Sequence, residues 1–150
     1  MRRLTVGHVA CWVLKTTRPP DEVAPGWRPG GAQELTRCVR SSYRLELMDA
    51  GQPCLLWLSG RQRPGVHALG FLTGPPDVDA SGPIVPVRLT RLAVPVDRTE
   101  LLADPDARDA EVLRMPAGSN PSWLSSAQFA AVLARVPHEE SGAGLRPWSA

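Results

Sequence analysis

Tryptophan and arginine are the two side chains here whose number and placement suggest chemistry. Five tryptophans stand against two phenylalanines and one tyrosine, and sixteen of the seventeen basic residues are arginine. Trp27 and Trp123 fall in or beside loops, where an indole either plugs a core or stacks on a planar ligand; stacking on a nucleobase is worth about 1–3 kcal/mol. Trp12 and Trp57 lie in apolar runs and by themselves read as core. Arg37, Arg40 and Arg44 form the densest basic stretch, and guanidinium groups suit two-pronged contacts to phosphate. Residues 1–75 hold ten Lys/Arg against five Asp/Glu, and residues 76–150 hold seven against ten. A basic half attracts an anionic partner such as nucleic acid.

Other chemistries find little support. Ser59, in Trp57-Leu58-Ser59-Gly60, lacks the glycine two positions earlier that a nucleophile elbow needs. Only His8, His67 and His138 could act as a base, and His67 reads as a packed strand residue. Neither of the two common phosphate-cradling glycine patterns occurs. Asp104, Asp106, Asp109 and Glu111 match no calcium loop and suit helix N-termini instead. Cys11, Cys38 and Cys54 are odd in number and lack C-x-x-C spacing, which argues against a disulfide framework or a zinc knuckle. No catalytic residue, metal or cofactor is therefore expected. With no secretory signal and no apolar run long enough to cross a membrane, a cytoplasmic location is expected.

At 150 residues and 43% hydrophobic content the chain suits one folded domain, able to bury roughly 68–70% of its unfolded surface. We read it as a single domain over residues 1–137 and a flexible tail over 138–150. Residues 8–15 read as a buried strand ended by Pro19-Pro20, and residues 18–31 as a Pro/Gly-rich loop carrying Trp27. Over residues 32–44 a short helix is expected, and because Arg37, Arg40 and Arg44 are spaced by three and four, a helix would put all three on one face. Residues 54–58 and 66–73 read as paired strands. Residues 84–92 alternate as a half-buried strand, with Pro86 suited to an edge. Short helices are expected after Asp97 and after Asp104-Pro105. Ser125 and Gln128 form a capping-box pattern ahead of Phe129, Val132, Leu133 and Val136, which share one helical face.

The order of several short segments is familiar: W-V-L-K, C-V-R-S-S-Y-R, G-Q-P-C-L-L-W-L-S-G with P-G-V-H-A-L-G, V-P-V-R-L-T-R-L, and V-L-R-M-P-A-G-S-N before a terminal helix. Together, over roughly residues 8–136, they resemble the EVE domain of the PUA-like superfamily. The resemblance implies a mixed α+β pseudobarrel of about five to six strands, with short surrounding helices and a C-terminal helix. It also implies kinship with YTH readers of methylated adenine and with readers of modified cytosine, which flip the base into a pocket. Carried onto this chain, the pocket residues are Lys15, Thr16, Thr17, Cys38, Val39, Ser41, Tyr43, Trp57, Ser59, Gly60 and Asn120, with Trp27 as a further loop aromatic. Arg37, Arg40 and Arg44, beside Lys15, would meet the nucleic-acid backbone. The chain departs from the pattern at Cys38, where relatives usually place a tryptophan; Trp27 or Tyr43 would then have to supply the second ring.

Two functions fit these residues. The first is a binding module for a modified base in DNA or RNA, acting with a nuclease or other effector partner and with no membrane. The second is a small protein-interaction or scaffold domain with a vestigial pocket.

Overall fold

A computed structural model describes residues 3–137; the expected tail, residues 138–150, lies outside the described residues. The chain order is β1 (Cys11–Thr16), α1 (Pro20–Val23), β2 (Ala32–Cys38), β3 (Pro53–Leu58), β4 (Gly65–Leu72), β5 (Asp77–Asp79), β6 (Gly82–Asp97), α2 (Arg98–Leu102), α3 (Glu111–Arg114), β7 (Ser122–Leu124) and α4 (Ser126–Leu133). The strands form one seven-stranded sheet in the order β2-β6-β4-β3-β1-β7, with β5 attached to β6. This is a mixed α+β fold of a multi-stranded sheet with flanking helices. Strand pairing leaves β2 and β7 as edges, so ladder bonds do not close the sheet into the expected pseudobarrel.

β1 and β3 are parallel, in register from Trp12 opposite Cys54 to Thr16 opposite Leu58. The other ladders are antiparallel. Side chains alternate across each strand, and both faces of this pair are buried. Trp12, Leu14, Cys54 and Leu56 join one core with Trp27 and with Val85, Val87 and Leu89 of β6. Val13, Leu55 and Trp57 join a second core with Leu101, Val112, Leu113, Phe129 and Val132 from the helical side. Double burial explains why residues 54–58 are a continuous apolar run rather than an alternating one. α4 begins as expected: the Gln128 amide donates to Ser125 Oγ at 3.3 Å, and the Ser125 amide donates to Gln128 Oε1 at 2.8 Å.

Three expectations are corrected. Residues 32–38 form β2, with alternating exposure, and the chain after Cys38 leads into a 3₁₀ turn over Tyr43–Leu47. Full antiparallel pairing with β6, from Ala32 opposite Thr90 to Cys38 opposite Ile84, outweighs the three-and-four spacing of the arginines. Pro86 lies in an interior strand, because β6 is flanked by β2 and β4. After Asp104-Pro105 the chain makes turns rather than a helix. Asp104 spends its carboxylate on the Asp106 amide and on Arg135, each at 2.8 Å.

Candidate functional site

β1 and β3 run out side by side, tied beyond their ends by the Ser59 amide donating to the Thr16 carbonyl at 2.8 Å. An open cleft of about 800 Å³ lies at this end of the sheet, between the strand ends, the end of β2 and the loop before β7. Strand carboxyl ends are where open sheets with parallel strands place ligands.

Asn120 fixes the cleft's shape. Its Oδ1 accepts from the Lys15 amide at 3.2 Å, and its Nδ2 donates to the Lys15 carbonyl at 3.5 Å and the Cys38 carbonyl at 3.3 Å. Its own carbonyl accepts from the Arg40 amide at 2.8 Å, and the Asn120–Pro121 peptide is cis. The side chain expected to border the pocket thus spends both amide hydrogens and one acceptor position on stapling β1, the end of β2 and the late loop together.

The cations differ in their freedom. Arg44 is drawn inward, its two Nη atoms meeting the two Glu111 oxygens at 2.8 and 2.7 Å and Nη1 also reaching the Pro121 carbonyl at 3.0 Å. Ser122 Oγ donates to Glu111 Oε1 at 2.8 Å. Lys15 Nζ sits over the Met115 and Pro116 carbonyls, at 3.5 and 3.3 Å. Burial pulls its pKa down, Glu111 opposes this, and Arg40 and Arg44 add to it. Arg37 lies on the inward side of β2, half-buried, and its Nε is buried with no hydrogen-bond partner among the described residues. Burial, reinforced by Arg18, lowers its pKa against a counteracting Cys38. Arg18 and Arg40 line the same cleft, and Arg18, Arg37 and Arg40 have no carboxylate partner among the described residues. Glu22 brings one carboxylate to the lining.

Of the expected site residues, Lys15, Thr16, Thr17, Cys38, Ser59, Asn120, Arg37 and Arg40 do converge on this cleft. The others do not. Trp27 is 1% exposed, with Nε1 donating to the Gly31 carbonyl at 2.8 Å, and Trp57 is 2% exposed in the opposite core. Tyr43 packs beside the first core, its hydroxyl accepting from the Leu4 amide at 2.8 Å, with the Arg3 guanidinium 4.1 Å from its ring centre. Val39 is buried, Ser41 opens onto a different surface, and Gly60 faces a neighbouring cleft. The aromatic walls expected from Trp27, Tyr43 and Trp57 are therefore not at the cleft, whose lining holds no aromatic side chain among the described residues. Thr16 Oγ1 is engaged by the Arg18 backbone. Sequence reading missed Arg18, although it directly follows Thr17. It also missed Glu111, which is 67 residues from Arg44 and carries no local signal.

Arg44 foremost, then Ser122, holds the Glu111 carboxyl below its ordinary value, against the opposing pull of burial. A carboxylate with a depressed folded pKa stabilises the fold above its unfolded pKa, and that contribution is lost as pH falls through the folded value. Stability is expected to fall with pH below about 4. Glu111→Gln should flatten that acid limb and cost on the order of 2–3 kcal/mol at neutral pH, since it leaves Arg44 half-desolvated. Urea melts from pH 3 to 7 check this; a variant keeping the wild-type acid limb would contradict it.

No protein-family model and no curated protein matches the chain. Solved structures do share its fold. A hypothetical protein from Leishmania major is 16% identical over 84% of this chain and 93% of that one, with a TM-score of 0.67. A Pseudomonas syringae protein is 15% identical over 83% and 98%, also at 0.67. Human THYN1 protein, in complex with 5-methylcytosine containing DNA, is 14% identical over 83% and 95%, at 0.50. Likeness at these identities is a likeness of fold.

Proposed function

We propose that the protein is a nucleic-acid binding module that accepts a modified base in the cleft at the ends of β1 and β3. The observation that carries the reading is the convergence there of Arg18, Arg37 and Arg40, free of carboxylate partners among the described residues, around the Thr17 and Ser59 side chains. Phosphate oxygens would pair with the accessible guanidinium nitrogens of these residues in charge-assisted hydrogen bonds. The fold shared with human THYN1, solved in complex with 5-methylcytosine containing DNA, supports the same class of ligand. Without an aromatic sandwich, the base would be held by hydroxyls and by backbone groups of the stapled loop. Affinity would then lean on the phosphates and fall steeply with salt.

Fluorescence anisotropy tests this with 12-nucleotide single- and double-stranded DNA and RNA, unmodified or carrying 5-methylcytosine, 5-hydroxymethylcytosine or N6-methyladenine. Modification-dependent binding at low salt is the expected result. Arg37→Gln with Arg40→Gln is expected to weaken it by about tenfold or more. The same change should leave the melting temperature equal or slightly raised, because it removes a buried donor that lacks a partner. Failure to bind every oligonucleotide at low salt would reject the reading in favour of a protein-interaction domain.

A further inference from the structure

A second cleft, of about 400 Å³, adjoins the first, and Thr17 and Ser59 line both. The two depressions therefore meet at a shared rim, the Thr17–Ser59 saddle where β1 and β3 end. The second cleft owes its existence to an irregularity between β4 and β6. Val66 faces Val96 and Ala68 faces Arg91, so residues 92–95 of β6 stand opposite His67 alone. Such a bulge lifts the strand away from its partner and re-aims its side chains.

The opposite wall is the loop from Ser59 to Pro64, held in place at several points. His67 Nε2 hydrogen-bonds the Arg63 carbonyl at 2.7 Å, and the Arg98 amide donates to the Pro64 carbonyl at 2.9 Å. Gly60 turns at φ +126°, and Arg63 itself is left-handed at φ +51°. Arg61 and Arg63 ride on this loop, exposed and with no carboxylate partner among the described residues. Arg91 is different: it is tied to Asp21 at 2.8 Å and to the Trp27 carbonyl, and so serves as wall. No acidic residue lines this cleft among the described residues. A tethered loop presents its cations with less ordering to lose on binding than a free one.

We infer that the strand engaged in the first cleft crosses the Thr17–Ser59 saddle into the second, where Arg61 and Arg63 take phosphates flanking the recognised base. This rests on the function proposed above and extends it from a base pocket to a trough that tracks a single strand. The shared rim of the two clefts and the unpaired arginines on both sides of it favour a polynucleotide, whose phosphates recur along the strand, over an acidic protein segment.

The test uses a fluorescein-labelled 12-nucleotide single-stranded DNA with a central 5-methylcytosine. It compares the wild type, Arg61→Gln/Arg63→Gln, and a charge-matched control, Arg88→Gln/Arg108→Gln, outside both clefts. The trough variant is expected to lose on the order of tenfold in affinity at low salt. Its slope of log affinity against log salt should fall by about 1.4, the value for two single-strand phosphates. Circular dichroism melts establish that each variant is folded. If the wild type binds and the trough variant matches the control, this inference is overturned while the proposed function stands. If the wild type does not bind this single strand, the inference is overturned; if it also binds none of the oligonucleotides named above, the proposed function fails with it.

Discussion

Trp57→Ala is expected to cost about 3–5 kcal/mol of stability, the range for truncating a large buried aromatic. Native domains hold only about 5–15 kcal/mol in total, so the loss should be plain in a urea melt. The reason is placement: the indole is 2% exposed and packs into the core shared with Val13, Leu55 and Val66. That side of the sheet is roofed by α2, α3 and α4 through Leu101, Val112 and Phe129, and helices this short have little stability apart from what they pack on. Nucleic-acid affinity per folded molecule should stay near that of the wild type, because Trp57 is absent from both clefts. Trp57→Phe should recover much of the stability. A Trp57→Ala protein with wild-type stability and lost binding would reverse the assignment and restore the ring as a stacking wall.

Trp57 marks the limit of what a local pattern encodes. The run at residues 54–58 announces a strand buried on both sides, and it is one. Yet a continuous apolar run carries no sign of which face meets a ligand. The same limit applies to Trp27, which a Pro/Gly-rich loop brings back over the core, where its Nε1 finds the Gly31 carbonyl. That contact is local, but the burial depends on partners distant in sequence. β2 is the clearest misreading. Its inward residues, Gln33, Leu35 and Arg37, alternate as a strand should, but two of the three are polar, so hydrophobic periodicity gives no strand signal and arginine spacing mimics a helix. The Ser125/Gln128 capping box, a strong local code, marks the start of α4 as expected, whereas the helix ends at Leu133, short of Val136.

The candidate site was half legible for a related reason. Lys15 and Thr16 close β1, and Thr17 and Ser59 directly follow β1 and β3, strands whose ends can be read from the sequence, so their convergence needs only the parallel pairing of the two. Arg44 and Glu111 meet through tertiary packing alone. Their pairing converts an expected phosphate ligand into a strut that steadies the region around Lys15 and the late loop. The second cleft depends on a four-against-one mismatch between β4 and β6, which no local pattern encodes.

Gly70→Ala tests the same central ladder from its backbone side and is expected to be as damaging as any single methyl group in the protein. Gly70 sits mid-strand in β4, opposite Cys54 on one side and Leu89 on the other. A Cβ built there would lie 1.7 Å from the Arg88 carbonyl oxygen and 2.8 Å from Leu89 Cα. Both obstacles are backbone, and β6 cannot simply withdraw, because its far side is laddered to β2 through Leu35 opposite Val87 and Gln33 opposite Leu89. Overpacking usually costs about 1–3 kcal/mol when side chains can adjust; with only backbone to move, a loss of about 3 kcal/mol or more is expected. Gly7→Ala supplies the contrast, since its nearest new contact, Thr5 Oγ1, is an ordinary 3.8 Å away. There the reduced freedom of the unfolded chain should leave stability unchanged or raised by about 0.4–1 kcal/mol. Urea denaturation of the two variants side by side separates the effect of losing a glycine from the effect of forcing β4 and β6 apart. Equal midpoints would mean that the close approach of these strands is not what requires glycine at position 70.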